Sequence, residues 1–286
     1  MEKLQRALEK ARASRQGQTE AGPVTQPRSS ALRAGHPAPV APSGNADVWD
    51  SLPRMNVDLK TLAKNRIIAQ DGVAEAGSYD LLRTRLRDEV QRKKYKRIAI
   101  TSPAPNAGKS TTLTNLAFAL GRLPFQRTMV FDLDLRRPAM HRLLGQQPAS
   151  DLGQVITGQV PLQDNVQRYG ANLAFGLNRG PVSQSSELLQ SHQMETFLSE
   201  TEQAYEPDLM LFDMPPFLVV DDALGFLRHI DGVILVVEAE HTPPSQIEKI
   251  EERLVGLTNL VGVVLNKCNF PEDGDRSKYG YSYGYS

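Results

Sequence analysis

A single cysteine, Cys268, excludes an intrachain disulfide framework and suits a reducing compartment. As a lone thiol it reads as buried or inert before it reads as reactive. No apolar run approaches the ~20 residues that a membrane span needs, and the stretch from Met1 to Arg6 lacks the apolar core of a signal peptide. There is no surplus of charge either. Lys+Arg and Asp+Glu balance at 33 each, so no global field draws nucleic acid or a membrane surface. These absences point to a cytoplasmic protein with room for one α/β domain of roughly 200 residues plus extensions.

What is present centres on residues 98–111. Ile98 to Ile100 form an apolar, strand-like run, a loop closes with Gly108, Lys109, Ser110 and Thr111, and apolar residues from Leu113 to Gly121 fall at helical spacing. Strand, loop and helix in that order frame a phosphate site. Backbone N–H groups from about Asn106 through Ala107 to Thr111 can wrap an anion, and the helix N-terminus adds unpaired donors and partial positive charge. Lys109 supplies a point charge. Ser110 offers a hydroxyl to Mg²⁺, which keeps several waters and takes few protein ligands. The full phosphate-loop pattern begins with glycine five residues before Gly108, where this chain has Pro103. A Gly-Lys-Ser triplet also arises by chance, so an ordinary loop is the competing reading, and the flanking strand and helix argue against it.

Residues 2–16 place Leu4, Ala7, Leu8 and Ala11 on one helical face, with Glu2 and Arg6 a turn apart. A helix that short is marginal alone in water, so 1–16 is expected to be an amphipathic helix that docks on something, with a frayed solvated helix as the alternative. Residues 17–46, rich in Pro, Gly, Ser, Ala and Gln, cannot bury enough apolar surface to offset chain ordering and read as a disordered, flexible linker. Globular composition runs from 47 to 268. It opens with Trp49, Leu52 and Met55 and with a helix from about Ala74 to Arg92 that delivers the chain to the first strand.

Two further apolar strands end in carboxylates. Thr128 to Asp132 continues to Asp134, and side chains two apart on an extended strand point the same way, so both can face one site. Capping of a short helix from Pro138 to Leu144 is their other reading. Asp208 to Asp213 runs into Pro215 and Pro216, which end the pairing because neither donates to a ladder. Carboxylates at such strand ends, in a sheet that carries the phosphate loop, lie in the crevice where these sheets bind ligands. Asp221 and Asp222 open a helix to Ile230, with N-capping as their default role.

Residues 150–160 and 187–205 read as helical and 171–176 as a strand. Short strands at Gly232 to Val237 and Leu260 to Leu265 flank a helix from about Pro244 to Leu257. The alternation predicts a doubly wound α/β fold, its mostly parallel sheet covered on both faces, of P-loop NTPase type. Residues 269–286 are polar and end in Tyr279, Tyr281, Tyr283 and Tyr285, half of the 8 tyrosines in the chain. Their alternation with Gly and Ser leaves one strand face with nothing to bury, so they read as a mobile tail displaying hydroxyls.

Together these groups define a site for ATP and Mg²⁺. Lys109 and the loop amides are expected to hold the β- and γ-phosphates. Ser110 with one or more of Asp132, Asp134 and Asp213 would hold Mg²⁺ directly or through water, and a remaining carboxylate would orient or deprotonate an attacking hydroxyl.

On these motifs the chain resembles the bacterial tyrosine kinases, whose kinase domain derives from P-loop ATPases. Thr101 to Thr111 matches their Walker A motif, Asp132 to Pro138 their Asp-x-Asp-x-Arg-x-Pro motif, and Asp213 to Pro216 their Walker B motif, Asp-x-Pro-Pro. Asp222-Ala223 matches the Asp-Ala that follows, and the match covers roughly residues 77–286. The resemblance implies an ATP-dependent tyrosine autokinase that phosphorylates Tyr279, Tyr281, Tyr283 and Tyr285 between subunits and regulates polymerisation or export of an exopolysaccharide or capsule. It implies a catalytic set of Lys109, Asp132, Asp134 and Arg136. It also implies metal contacts from Ser110, Asp134, Asp213 and Asp222, and nucleotide contacts from Asn106, Ala107, Gly108, Lys109, Ser110, Thr111 and Asn266.

The implied partners are a membrane polysaccharide co-polymerase that activates the kinase and recruits it to the inner face of the membrane, a tyrosine phosphatase, and further copies of the chain. Nucleic acid is not among them. With no span of its own the chain is similar to the stand-alone form of the family, and 1–16 is the candidate docking piece. One departure stands out. The family often carries Glu-x-x-Arg-x-x-Arg before the first strand, and here those positions are Gly77, Asp80 and Arg83. A ring-shaped oligomer held by that motif is not expected.

Two other readings compete. A positioning ATPase, acting as a nucleotide-dependent dimer switch, would carry a second lysine five residues before Lys109, where this chain has Ala104, and would have no use for the tyrosines. A catalytically weak nucleotide-binding regulator, its tail modified by another kinase, is compatible with the same residues.

Overall fold

The computed structural model describes residues 46–72, 74–219 and 222–268, all within one folded unit. The expected helix at 1–16, nearly all of the linker at 17–46 and the tyrosine tail at 269–286 lie outside the described residues.

The chain enters through two short helices, α1 (Ala46–Ser51) and α2 (Leu59–Lys64). Asp58 caps α2 by accepting from the Lys60 and Thr61 N–H groups. A 3-10 turn (Ala74–Ala76) opens helix α3 (Gly77–Lys93), which stops at left-handed Lys94 and hands the chain to strand β1 (Arg97–Thr101). After the phosphate loop come helix α4 (Lys109–Gly121), strand β2 (Thr128–Asp132) and the short helices α5 (Met140–Leu143) and α6 (Leu152–Ile156). Strands β3 (Gln167–Tyr169) and β4 (Leu173–Gly176) precede helices α7 (Ser185–Leu189) and α8 (His192–Tyr205). The last elements are β5 (Leu209–Asp213), α9 (Asp222–Phe226), β6 (Gly232–Glu238), α10 (Pro244–Leu254) and β7 (Asn259–Asn266).

The strands form one sheet in the order β3-β4-β2-β5-β1-β6-β7. All neighbours are parallel except β3 and β4. Side chains alternate between two apolar clusters, as the strand period requires. Met129, Phe131 and Phe212 pack on one face with Phe197 and Leu198 of α8, while Ile98, Ile100 and Val130 pack on the other with Leu113, Leu116 and Phe118 of α4. Phe118 meets Tyr169 edge-on with centroids 4.9 Å apart. Burying each such side chain contributes roughly 1.5–3 kcal/mol.

The two sheet edges differ from the sequence expectation. Strand β3 is too short to carry a pattern and was not anticipated. The segment Pro53–Met55 covers it, with Met55 N–H donating to the Arg168 carbonyl at 2.7 Å and Arg168 N–H to the Pro53 carbonyl at 2.8 Å. At the opposite edge β7 is not covered on both faces as the sequence suggested, since Val263 and Leu265 remain 44% and 60% exposed.

Candidate functional site

Sheet register gathers the site. Asp213 lies opposite Asp132 across β2 and β5 and opposite Ile100 across β1 and β5. Three adjacent strands therefore deliver two carboxylates and the phosphate loop to one crevice beyond their C-terminal ends. Thr101 Oγ1 donates to the Pro215 carbonyl at 2.7 Å, and Phe217 N–H donates to the Ser102 carbonyl at 2.8 Å, which binds the two strand-end loops to each other.

Within the loop Asn106 and Gly108 adopt φ of 66° and 90°. Left-handed residues there turn successive N–H groups toward a shared hollow. Gly108 is the N-cap of α4, it offers no side-chain cap, and the first helical bond runs from Thr112 N–H to the Gly108 carbonyl at 2.9 Å. The donors of the first turn are thereby left for an anion.

Lys109 folds back onto the carboxylates. Its Nζ lies 2.8 Å from Asp134 Oδ2 and 3.2 Å from Asp213 Oδ1, and it donates to Ser110 Oγ at 3.2 Å. Ser110 Oγ in turn donates to Asp213 Oδ2 at 2.5 Å. The residues expected to bind phosphate and those expected to bind metal are thus bonded to each other. Burial works against the charge on Lys109, but Asp213 and Asp134 outweigh it and hold its pKa above the ordinary lysine value. Burial pushes the Asp213 carboxyl up, against the opposing pull of Lys109 and Ser110.

The two oxygens of Asp132 have different surroundings. Oδ2 accepts from the Ala139 and Met140 N–H groups at 3.1 and 3.0 Å, so it holds the start of α5. Oδ1 is buried and has no hydrogen-bond partner. Desolvation, with the Asp213 charge second, pushes this carboxyl up to about 8 despite the Met140 amide. Oδ1 can accept a proton once the carboxyl is ionised, and a cation bound nearby favours the ionised form. Asn178, which the sequence did not single out, donates to the Asp132 carbonyl at 2.5 Å and accepts from Leu152 N–H at 2.8 Å. Its only sequence signal is a polar residue soon after a buried strand.

The remaining candidates are spread around this centre. Arg136 is exposed on the turn after Asp134. Asp222 is the first residue of α9, and its side chain, with Asp221, lies outside the described set. Asn266 Nδ2 donates to the Ala107 carbonyl at 2.8 Å, which brings the end of β7 against the loop backbone. Thr111 lies in the first turn of α4. Asp80 accepts from Arg83 and from Arg122, and Arg83 Nη1 donates to the Ala119 carbonyl at 3.1 Å, so these groups tie α3 to α4 within one subunit. Tyr279, Tyr281, Tyr283 and Tyr285 lie outside the described residues.

Among the described residues no three His, Cys, Asp or Glu side chains are grouped as a metal cage. Mg²⁺ does not need one, since it binds through one or two protein oxygens, water and substrate phosphates. The Asp134 carboxylate and the Ser110–Asp213 pair, gathered around Lys109 Nζ, suit such an ion. Grooves of about 500 and 700 Å³ lie away from these residues, one along α6 and α8 and one beside Arg87 and Phe125. No helix among the described residues is long and apolar enough to cross a membrane.

Residues 98–279 match the family model of the CobQ/CobB/MinD/ParA nucleotide binding domain. The sequence is 31% identical over 208 residues to tyrosine-protein kinase YwqD of Bacillus subtilis (strain 168), an alignment covering 72% of this chain and 85% of that protein. It is 30% identical over 199 residues to the succinoglycan biosynthesis transport protein ExoP of Rhizobium meliloti (strain 1021), covering 65% of this chain and 25% of ExoP. The fold superposes on the kinase domain of the Escherichia coli tyrosine kinase ETK with a TM-score of 0.65 and 25% identity, over 77% of this chain and 85% of that one.

Proposed function

The chain belongs to the bacterial tyrosine-protein kinases built on the CobQ/CobB/MinD/ParA nucleotide-binding domain, and from that premise we propose that it transfers the γ-phosphoryl group of ATP to its own C-terminal tyrosines. The observation that carries this reading is the buried cluster of Lys109, Ser110, Asp134 and Asp213 beside a carboxyl, Asp132, with one unpartnered oxygen.

Lys109 leaves its carboxylates for the β- and γ-phosphates, and the N–H groups from Asn106 to Thr111 enclose them. Ser110, Asp134 and Asp213 would hold Mg²⁺, with Asp222 within the same proposed set. When bound, Mg²⁺ neutralises charge on the phosphate oxygens. A tyrosine oxygen of Tyr279, Tyr281, Tyr283 or Tyr285 attacks the γ-phosphorus, the bond to the bridging oxygen of ADP breaks, and the phenolic proton passes to Asp132 Oδ1. Arg136, exposed on the turn after Asp134, is assigned to the same catalytic set. Positioning and charge neutralisation supply most of the rate in such transfers.

ExoP is named for succinoglycan biosynthesis and transport. On that likeness the autokinase regulates exopolysaccharide or capsule polymerisation or export, is recruited from the cytoplasm to the membrane by a co-polymerase, and is reset by a tyrosine phosphatase. YwqD and ETK are named tyrosine kinases, which favours this reading over a dimer-switch ATPase. Incubation with Mg²⁺ and ATP, read by anti-phosphotyrosine blot, tests it. A signal that Lys109→Ala abolishes is expected, and a signal that survives this substitution refutes the role of the site.

A further inference from the structure

Asn266 sits 159 positions after the phosphate loop in the chain, yet its Nδ2 donates to the Ala107 carbonyl at 2.8 Å. Its own place is fixed on two sides. The Asn266 carbonyl accepts from Ala239 N–H at 2.9 Å, and the next residue, left-handed Lys267, pairs with Glu238 at 3.1 Å. The amide therefore approaches the loop from a strand end that is itself anchored.

A trans peptide points its carbonyl and its following N–H in opposite directions. Holding the Ala107 carbonyl outward, toward β7, therefore turns the Gly108 N–H inward, toward the hollow of the loop. Gly108 is also what admits the clamp, because a Cβ placed there would lie 2.1 Å from Asn266 Nδ2. The glycine serves this approach as well as its φ of 90°.

We infer that Asn266 is a positioning residue that aims the Gly108 N–H at the phosphates of the bound nucleotide, acting through the Ala107–Gly108 peptide. The inference rests on the phosphate-loop reading above and differs from a contact between Asn266 and the base. A base contact would leave binding of a bare polyphosphate untouched, whereas a clamp on the loop weakens it.

The test is titration of the full chain with Mg²⁺–tripolyphosphate, ADP and GDP, comparing wild type with Asn266→Ala, Asn266→Asp and Asn259→Ala. Asn259 offers a control of the same chemistry at the other end of β7, where its Nδ2 donates to the Asp231 carbonyl at 2.8 Å. Asn266→Ala is expected to weaken tripolyphosphate and ADP by the same factor, roughly five- to tenfold for one lost hydrogen bond. Its ADP/GDP preference should stay unchanged, and Asn259→Ala should bind as wild type does. Asn266→Asp, nearly isosteric, sets an acceptor against the carbonyl and is expected to weaken both ligands at least as much. It carries the test if the alanine variant does not fold. Unchanged tripolyphosphate binding in a folded Asn266 variant, or a loss confined to adenine preference, overturns the clamp while leaving the loop reading intact. Failure of the wild type to bind tripolyphosphate and ADP overturns the loop reading and the clamp together.

Discussion

Replacing Asp132 by asparagine should stabilise the nucleotide-free protein at high pH. The carboxyl is fully buried, and desolvation raises it from 3.8 to about 8. Below the lower value the folded and unfolded chains both hold the proton, so the group contributes nothing to pH dependence. Between the two values the unfolded chain has released the proton and the folded chain retains it. Stability therefore falls with rising pH by up to ~1.4 kcal/mol per unit, and the full penalty is present above the folded value. The accumulated cost by pH 9 is on the order of 3–6 kcal/mol. Asparagine keeps an oxygen for the Ala139 and Met140 amides and has nothing to ionise. Urea denaturation of both proteins at pH 5, 7 and 9 reads the effect, and the stability difference in favour of Asp132→Asn should widen steadily across the series. A flat difference, or one that narrows as pH rises, refutes the burial argument.

Other substitutions should separate binding, chemistry and packing. Asp132→Asn should slow phosphoryl transfer by roughly 10²- to 10⁴-fold while changing ADP affinity little, and equal losses of both would argue against a base role. Lys109→Ala leaves Asp134 and Asp213 without their cation, so at pH 7 it should destabilise by about 3–5 kcal/mol in denaturant melts. That loss should shrink as pH is lowered, because burial already pushes the Asp213 carboxyl toward its neutral form. Phe118→Ala, which removes the edge-on contact with Tyr169, should cost about 3–5 kcal/mol of stability with nucleotide affinity of the folded fraction retained.

Much of the fold was legible because the strands that carry the site are its most buried. Ile98 to Ile100, Thr128 to Asp132 and Leu209 to Asp213 are apolar runs ended by a loop or a carboxylate, and such runs have few other homes. Strand β3 escaped notice because three half-buried residues carry no period and its pairing depends on Arg168 meeting Pro53 and Met55. Sequence placed Asp132, Asp134 and Asp213 near Lys109, but it offered the two readings of Asp132 as rivals. The structure shows the capping contact on Oδ2 and leaves Oδ1 without a partner. The bond from Asn266 to Ala107 and the anchoring of the Asp132 carbonyl by Asn178 are contacts across large sequence separation, and local patterning holds no trace of them. The same applies to Asp80 and Arg83, whose partners on α4 appear only when the helices pack.

The most direct measurement is tandem mass spectrometry of the purified protein after incubation with Mg²⁺ and ATP, alongside Lys109→Ala and a variant with Tyr279, Tyr281, Tyr283 and Tyr285 all changed to phenylalanine. Phosphoryl groups on those tyrosines in the wild type, and on no tyrosine of either variant, are the expected result. Consumption of ATP with no phosphotyrosine anywhere in the wild-type chain would contradict the autokinase assignment.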